Sequence, residues 1–348
     1  MEKLLRYLLE FYQLSDFPAV AAQIHAWRTT RPLAKLKILD ATPIFRNTMT
    51  KYCALLAAGA EVTVTWSDKL PRDEKICALL PDFGIRVSPP GEWAENFDLI
   101  ADCAGFLAAL PAKYGHVELT RSGLYAYADA EYPVFSADSG RLKKLETILG
   151  TGDGFIRGMG KLSLPIAKQN LLIFGGGKVG FGIAAKSIAA GAQVTVADPC
   201  EVLLPPGCQK LDPADTAATR KAIDRADIIV TVTGIAGALA PWAEYAAKSA
   251  AVLVSMSPED EFGSLMPSGR MLNNKKPLNF VLEEPTHLRY IDATFALNNL
   301  GLLKLTQQQL PPGISVPQNA DEEEIFRTVI TDGKLAAEAE LIEKYIWR

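Results

Sequence analysis

A glycine-rich loop directly after an apolar run is the feature that most constrains how this chain can fold. Residues 171–174 (LLIF) have the length and continuous apolarity of a buried strand, and residues 175–180 (GGGKVG) follow at once. Residues 179–190 are mostly small and apolar, as in a packed helix, and residues 193–197 (QVTVA) have the composition of another strand. A strand, a helix and a strand within about 30 residues form a βαβ unit, so the sequence predicts a parallel sheet here.

The spacing of the glycines, G-x-G-x-x-G, is typical of a dinucleotide site when it joins a strand to a helix. Gly175 permits the tight turn, Gly177 lets the backbone approach a pyrophosphate, and Gly180 allows close packing of helix on strand. Asp198 lies 18 positions after Gly180, where an acidic side chain accepts hydrogen bonds from the adenosine ribose and repels a 2′-phosphate. We therefore predict NAD, and not NADP, as the cofactor. The alternative is a plain glycine turn, with Asp198 an ordinary turn residue.

The length of 348 residues fits two globular domains. Residues 36–66 have the pattern strand, helix, strand, and residues 97–102 (FDLIAD) have that of a further strand. We therefore predict two Rossmann-like, doubly wound α/β domains. The substrate (catalytic) domain would comprise residues 1–150 and 306–348, and the NAD-binding domain residues 151–305.

Composition and charge exclude several classes of function. A net charge of −4 without a long basic run argues against a nucleic-acid partner. Charges, Gly and Pro interrupt the apolar runs before the roughly 20 residues that span a membrane, and the N-terminal pattern is not that of a signal peptide. We predict no membrane association and a cytoplasmic location. The five cysteines and three histidines are scattered, which predicts neither a disulfide framework nor a metal site. A small-molecule substrate is expected.

The order of these features, with a dinucleotide unit following a different α/β unit, resembles the adenosylhomocysteinase (S-adenosylhomocysteine hydrolase) family. The resemblance extends from Arg31 to Leu305. The stretches that carry it are residues 59–62 (GAEV), 132–134 (YPV), 150–158 (GTGDGFIRG), 175–180 and 231–234 (TVTG).

This resemblance implies an enzyme with tightly held NAD. Members of the family oxidise the 3′-hydroxyl of the substrate ribose, which acidifies the neighbouring C–H; they then expel a thiol, add water and return the hydride. Such a cycle needs acid/base groups beside the nicotinamide. The family also forms dimers of dimers, so a homo-oligomer is expected here, either a homodimer or a tetramer.

The resemblance also implies a catalytic segment, in which the family has a Lys followed by Asp-Asn. Counting back from the hinge glycine places Glu146 and Thr147 at the Asp-Asn positions and Leu142 at the Lys position. Counting forward from the preceding strand places Lys143 there instead. Lys143 and Glu146 are three apart and would share a helical face, as an acid/base pair or as a solvated ion pair.

Three other residues stand at positions that are catalytic in the family. His287 lies near the family's second histidine beside the nicotinamide, and is either a general acid/base or a partly buried structural histidine. Asp102 retains one of two family carboxylates, and Glu118 begins the counterpart of the family's Glu-Thr-Thr-Thr-Gly run. The predicted catalytic residues are therefore Lys143, Glu146, His287, Asp102 and Glu118.

Cofactor contacts are predicted beyond the glycine loop. Thr233 and Gly234 end a strand at the carboxyl edge, where ligands bind in such sheets, unless they form only a turn. Ser257 stands where the family has a Gly-His pair beside the nicotinamide, and Asn279 is a further candidate. The full set of predicted contacts is Gly175, Gly177, Lys178, Val179, Gly180, Asp198, Thr120, Thr147, Thr233, Gly234, Ser257 and Asn279.

The substrate side of the chain departs from the family. Residues 41–47 (ATPIFRN) lack the family's histidine. Arg46, Arg121 and Arg141 lie near aligned substrate positions and suggest an anionic substrate, although each alone is more typical of a surface arginine. We predict an NAD-dependent oxidoreductase-type enzyme acting on a hydroxyl- or amino-bearing carbon of a small polar metabolite. The alternatives are a true adenosylhomocysteinase and a catalytically silent NAD-binding regulatory protein.

Overall fold

The computed structural model describes residues 1–93, 96–307 and 310–346, apart from the side chains of residues 342 and 344–346. The chain divides into one unit of Met1–Leu145 with Leu288–Arg348 and a second unit of Glu146–His287. The sequence prediction places the two boundaries between these units after residues 150 and 305 instead. Residues 288–305 belong to the first unit because their helix packs against its strands and helices.

The strands of the described residues are β1 (Lys37–Asp40), β2 (Glu61–Val64), β3 (Arg86–Val87), β4 (Phe97–Asp102), β5 (Ala112–Glu118), β6 (Pro133–Ser136), β7 (Asn170–Phe174), β8 (Gln193–Ala197), β9 (Gln209–Leu211), β10 (Ile228–Thr231), β11 (Val252–Ser255) and β12 (Gly313–Ser315). The α-helices are α1 (Glu2–Leu8), α2 (Pro18–Thr30), α3 (Thr48–Ala57), α4 (Glu74–Leu79), α5 (Leu142–Leu145), α6 (Thr151–Lys161), α7 (Lys178–Ala189), α8 (Thr216–Arg225), α9 (Ala243–Lys248), α10 (Leu288–Thr306), α11 (Asn319–Thr331) and α12 (Ala336–Ile346). A π-helical turn, Glu146–Gly150, joins α5 to α6.

In the first unit the described residues form a seven-stranded sheet in the order β12-β6-β5-β4-β1-β2-β3, with every pairing parallel. Consecutive residues of β1 and β4 are buried, as expected for strands covered on both faces. The strand order reverses between β1 and β4. In doubly wound sheets, ligands bind beyond the carboxyl ends of the strands at such a switch point.

A buried ion pair lies at the carboxyl end of β1. Lys51, in α3, donates to the carboxylate of Asp40 and to Oγ1 of Thr42 (2.8 Å), and both charged side chains are fully buried. Burial lowers the pKa of Lys51, although the neighbouring Asp40 opposes this shift. Each charge is compensated mainly by the other. Removal of one side chain would leave the other charge buried without a partner, which costs on the order of 3–5 kcal/mol of folding free energy.

In the second unit the described residues form a five-stranded parallel sheet in the order β11-β10-β7-β8-β9. Its apolar side chains pack on one face with Phe155 of α6 and Ile183 of α7, and on the other with Ile223 of α8 and Ala243 of α9. The order reverses between β7 and β10. Both units are thus doubly wound α/β sheets, which confirms the predicted fold class.

Within the described ranges, no helix combines the length and the apolarity needed to cross a membrane.

We expect Lys51→Met to lower the free energy of unfolding by about 3–5 kcal/mol, because the Asp40 carboxylate would stay buried without its cation. The double variant K51M/D40N removes both charges and should recover most of this loss. Urea unfolding followed by circular dichroism measures both variants. A single variant as stable as the wild type would contradict the mutual dependence of the pair.

Candidate nucleotide-binding and catalytic site

The glycine loop lies between β7 and α7, at the switch point of the second sheet. Gly175 has a φ of +109°, and a Cβ there would lie 2.6 Å from the carbonyl oxygen of Val232. A Cβ at Gly180 would overlap the carbonyl oxygen of Gly175. Both positions exclude a larger residue, because loop and helix touch through their backbones.

Gly177 serves a different purpose in the same loop. It is the N-cap of α7 with a φ of −67°, and a Cβ there would meet no atom within 4 Å. Gly177 offers no side-chain cap to the first amides of the helix, which begins with Lys178 and Val179. Open space beside the N-terminus of a helix is what a phosphate needs. The loop therefore fits the pyrophosphate of a dinucleotide.

Asp198 follows β8 and is tied to the glycine loop. Its Oδ2 accepts a hydrogen bond from the amide of Gly176 (2.7 Å), and its Oδ1 accepts one from the amide of Cys200 (2.9 Å). Each carboxylate oxygen has a second lone pair. Asp198 can therefore hold the loop and still accept hydrogen bonds from ribose hydroxyls.

The loop after β10 lies against the glycine loop, since a Cβ on Gly175 would lie 2.9 Å from the amide nitrogen of Thr233. The Gly234 amide donates to Oε1 of Glu261 (2.5 Å), a side chain that is only 2% exposed. Ser257, which follows β11, is buried as well. The sequence prediction missed Glu261, because residues 258–262 (PEDEF) have the composition of a solvated loop. The sequence feature that could have indicated a binding role is the position of Glu261 shortly after a strand.

Two glycines of α6 bring that helix against a later segment of the second unit. A Cβ on Gly154 would lie 2.8 Å from the carbonyl oxygen of Pro285, and one on Gly158 would lie 2.9 Å from the Leu278 side chain. Asn279 is buried in the same contact, where its Nδ2 donates to the Pro285 carbonyl (3.4 Å). Asn279 is thus held by backbone that immediately precedes His287.

His287 is held by a carboxylate of α6. Its Nδ1 lies 3.0 Å from Oδ2 of Asp153, which also accepts a hydrogen bond from Nε of Arg157 (2.7 Å). Burial alone would raise the pKa of Asp153, but the hydrogen bonds from His287 and Arg157 hold that pKa below its ordinary value. Because His287 is 44% exposed, this carboxylate orients a ring that a substrate can still reach.

Asp102 and Glu118 are paired in register on β4 and β5, and both are fully buried. The carboxylate of Asp102 accepts hydrogen bonds from the amides of Cys103 (2.7 Å) and Leu107 (2.9 Å). Oε2 of Glu118 accepts one from the amide of Gly105 (3.1 Å). The two predicted catalytic carboxyl groups thus share one task in this structure, which is to hold residues 103–107.

Thr120 belongs to the same group of contacts. Its hydroxyl donates to Oε1 of Glu118 (2.6 Å) and accepts a hydrogen bond from the amide of Ala104 (3.0 Å). Thr120 therefore lies with Asp102 and Glu118 in the first unit, as part of a local network. Its predicted role as a cofactor contact stays a prediction.

Two residues that the sequence did not mark as site residues extend this network. The Tyr127 hydroxyl donates to Oδ2 of Asp102 (2.6 Å) and lies 3.0 Å from Nδ1 of His116. Burial, with the nearby charge of Glu118, raises the pKa of Asp102 to about 7, and burial lowers the pKa of His116 to about 4. A neutral histidine and a carboxyl group that titrates near neutral pH are thus joined through one phenol.

Lys143 is buried on α5 in the first unit, whereas Glu146 and Thr147 begin the π-helical turn of the second unit and are half-buried. The helix changes from α to π at Glu146, so the α-helical spacing that paired it with Lys143 does not continue through the junction. The Thr147 carbonyl accepts a hydrogen bond from the Thr151 hydroxyl. The catalytic and cofactor roles of these residues stay predictions.

The three arginines of the substrate prediction have different surroundings. Arg141 is nearly buried and pairs with Glu323 (2.5 Å). The guanidinium of Arg46 lies 4.2 Å from the ring centroid of Phe11, and Arg121 is exposed. Since Arg141 already has a carboxylate partner, an anionic substrate would have to compete with that ion pair.

We expect Asp102 to contribute stability that is lost as pH rises from about 4 to about 7, because the pKa of its carboxyl group rises from about 3.9 in the unfolded chain to about 7 on folding. The folded protein holds the extra proton in this window. The lowered pKa of His116 acts in the opposite direction, so the contribution of Asp102 is measured as the difference between wild type and variant. Asp102→Asn should reduce the slope of the urea midpoint against pH, whereas the exposed control Asp82→Asn should not. Equal slopes in wild type and D102N would contradict the assignment.

Residues 162–266 match the protein family described as "Putative NAD(P)-binding". Two relatives are similar over longer stretches. The S-inosyl-L-homocysteine hydrolase of Methanopyrus kandleri is 23% identical over 367 aligned positions, which cover 88% of this chain and 85% of that protein. The adenosylhomocysteinase of Sulfurisphaera tokodaii is 26% identical over 247 aligned positions, which cover 62% of this chain and 59% of that protein.

Solved structures to which the chain is similar include a transhydrogenase from Sinorhizobium meliloti, with 15% identity, a TM-score of 0.46 and coverage of 79% of this chain and 96% of that chain. A dipicolinate synthase structure from Bacillus halodurans has 13% identity, a TM-score of 0.45 and coverage of 80% and 98%. The chain is thus similar in sequence to these two hydrolases, and the stretch that matches the NAD(P)-binding family lies in its second unit.

Proposed function

We propose that this chain is an NAD-dependent enzyme that oxidises, in at least one step, a hydroxyl- or amino-bearing carbon of a small polar metabolite. The observation that carries the proposal is the open space at Gly177, beside the N-terminus of α7 and at the switch point of a parallel sheet. When bound, the cofactor supplies hydride acceptance. The remaining work falls to side chains of this protein.

Asp198 supports NAD over NADP. Its carboxylate lies at the end of β8 and already accepts one hydrogen bond at each oxygen, both from backbone amides. A ribose with two free hydroxyls adds donors to this carboxylate, whereas a 2′-phosphate would bring a second negative charge against it. The next residues, Pro199 and Cys200, offer no cation to offset that charge.

His287 is the side chain best suited to move a proton in the second unit. Asp153 fixes the ring through Nδ1, which leaves Nε2 as the nitrogen for a substrate. Lys143 and Glu146 remain further candidates for general acid/base catalysis. Asp102 and Glu118 have a positioning role, because they hold residues 103–107.

Hydrolysis of an S-nucleosyl-homocysteine is the second candidate function. The relative from Methanopyrus kandleri, named S-inosyl-L-homocysteine hydrolase, aligns with 88% of this chain and therefore with both units. The absence of a histidine from residues 41–47 argues against an unchanged substrate site. A silent NAD-binding regulator is the third candidate, and the exposed His287 with its oriented ring argues against it.

One preparation tests these candidates. The purified protein is denatured and its nucleotide identified by mass spectrometry, and native protein is then incubated with S-inosylhomocysteine, with S-adenosylhomocysteine and with a panel of alcohols and amines. NADH formation from an alcohol or amine supports the proposal. Thiol release without net NADH supports the hydrolase, and bound NAD without any turnover supports the regulator. A protein that neither carries nor binds NAD contradicts all three.

We expect Gly177→Ala to fold normally and to weaken NAD binding by about tenfold or more, because its Cβ would occupy only the space that the pyrophosphate needs. Gly269→Ala, in the same unit, also adds a Cβ that meets no atom within 4 Å and is the matched control. Calorimetric titration with NAD measures both affinities. Wild-type affinity in G177A would contradict the assigned phosphate site.

We expect His287→Gln to lower turnover by about 10²-fold or more while leaving NAD affinity unchanged, because general acid/base catalysis typically contributes at least that much. Asp153→Asn should lower turnover less, since the ring would remain but lose the carboxylate that orients it. Steady-state rates across pH measure both variants. Unchanged turnover in H287Q would remove His287 from the mechanism.

A further inference from the structure

Three predicted cofactor contacts converge on Glu261, a residue that the prediction did not include. Oε1 of Glu261 accepts a hydrogen bond from the amide of Gly234 (2.5 Å). The hydroxyls of Thr233 and Ser257 lie close enough to lower the pKa of the Glu261 carboxyl group, against the rise that burial causes. One buried carboxyl group thus joins the loop after β10 to the loop after β11.

The backbone around Glu261 holds this side chain in place. The carbonyl of Glu261 accepts a hydrogen bond from the amide of Leu239 (2.8 Å), and the carbonyl of Asp260 accepts one from the amide of Gly237 (3.0 Å). Lys275 pairs with the Asp260 side chain (2.8 Å) and donates to the Gly263 carbonyl (2.8 Å). These contacts fix the backbone on both sides of Glu261, and the carboxyl group itself is held by its burial and by the Gly234 amide.

The second oxygen of Glu261 is left without a donor. Burial raises the pKa of Glu261, and the Gly234 amide with the nearby Thr and Ser hydroxyls opposes that rise. The Gly234 amide donates to Oε1, whereas within the described ranges Oε2 has no hydrogen-bond partner. Buried acceptors are costly when unpaired, so Oε2 is suited to a donor that arrives with a ligand.

The sheet order identifies which part of a dinucleotide would reach this oxygen. The glycine loop follows the central strand β7, Asp198 follows β8 on one side, and Glu261 meets the loop after β10 on the other side. If the pyrophosphate lies over the glycine loop and the adenosine ribose at Asp198, the other half of the molecule extends towards β10. The hydroxyls of that second ribose are the donors it brings.

We propose that Glu261 binds the nicotinamide half of the dinucleotide, with Oε1 fixing the Gly234 amide and Oε2 accepting a hydrogen bond from the second ribose. This inference rests on the proposed NAD binding and assigns a residue to one half of that site. Two carboxylates would then bind the two ribose groups: Asp198 binds the adenosine ribose, and Glu261 binds the ribose that carries the nicotinamide.

The test compares three ligands, NAD, ADP-ribose and AMP, by calorimetric titration of wild type, Glu261→Ala and Glu261→Gln. We expect E261A to bind NAD and ADP-ribose about tenfold or more weakly and AMP as the wild type does, because AMP lacks the second ribose. E261Q keeps one acceptor and should show a smaller loss. The neighbouring exposed acid provides the matched control, Glu259→Gln, which should bind all three as the wild type does.

The outcomes separate this inference from the function on which it rests. Unchanged AMP affinity in E261A also shows that the glycine loop is still folded. Equal losses for AMP and NAD in both Glu261 variants, or no loss for either, would overturn the assignment of Glu261 while leaving NAD binding intact. A wild type that binds none of the three ligands would overturn both.

Discussion

The second unit depends on how closely α7 approaches the backbone around it. A Cβ at Gly180 would overlap the carbonyl of Gly175, and one at Gly182 would overlap the carbonyl of Ile148 in the π-helical turn. A Cβ at Gly152 of α6 would in turn lie 2.5 Å from the carbonyl of Gly182. These backbone contacts set the distance between the phosphate loop, α7 and α6. They thereby fix where Asp153, and through it His287, can stand within this unit.

At the carboxyl edges of both sheets, carboxylates hold the backbone of the loops in place. Asp102 and Glu118 hold residues 103–107 after β4, Asp198 holds Gly176, and Glu261 holds Gly234. In each case a carboxylate oxygen accepts a hydrogen bond from a backbone amide of a loop. These amides lie outside the β-sheet and would otherwise need water as their hydrogen-bond partner. Acids at these positions therefore shape the loops first, and any contact with a ligand comes in addition to that task.

Sequence patterns predicted the parts of the protein that depend on neighbours along the chain. The apolar run at 171–174 lies within β7 (Asn170–Phe174), the small-residue helix within one residue of α7, and the next strand coincides with β8 (Gln193–Ala197). Periodicity and glycine spacing report such local geometry directly. The cofactor type and the distant family resemblance followed from the same residues.

Features that depend on partners distant in the sequence were missed or displaced. Glu261 matters because its carboxyl group meets Gly234, 27 positions earlier, and Tyr127 because it meets Asp102, 25 positions earlier. The sequence prediction ends the second unit at residue 305, whereas in the structure this unit ends at His287. The sequence of α10 does not show which unit the helix packs against, and its contacts are with the first unit. The π-helical turn at Glu146 has no period in the sequence that distinguishes it from an α-helix, so no sequence pattern marks the change of helix type between Lys143 and Glu146.

The most direct test of the central claim is a calorimetric titration of nucleotide-free protein with NAD and with NADP under the same conditions. The account predicts one site per chain for NAD, and binding of NADP that is weaker by about tenfold or more, since Asp198 meets the 2′-phosphate. Binding of neither nucleotide would contradict the assignment of the glycine loop, and equal or tighter binding of NADP would contradict the role of Asp198.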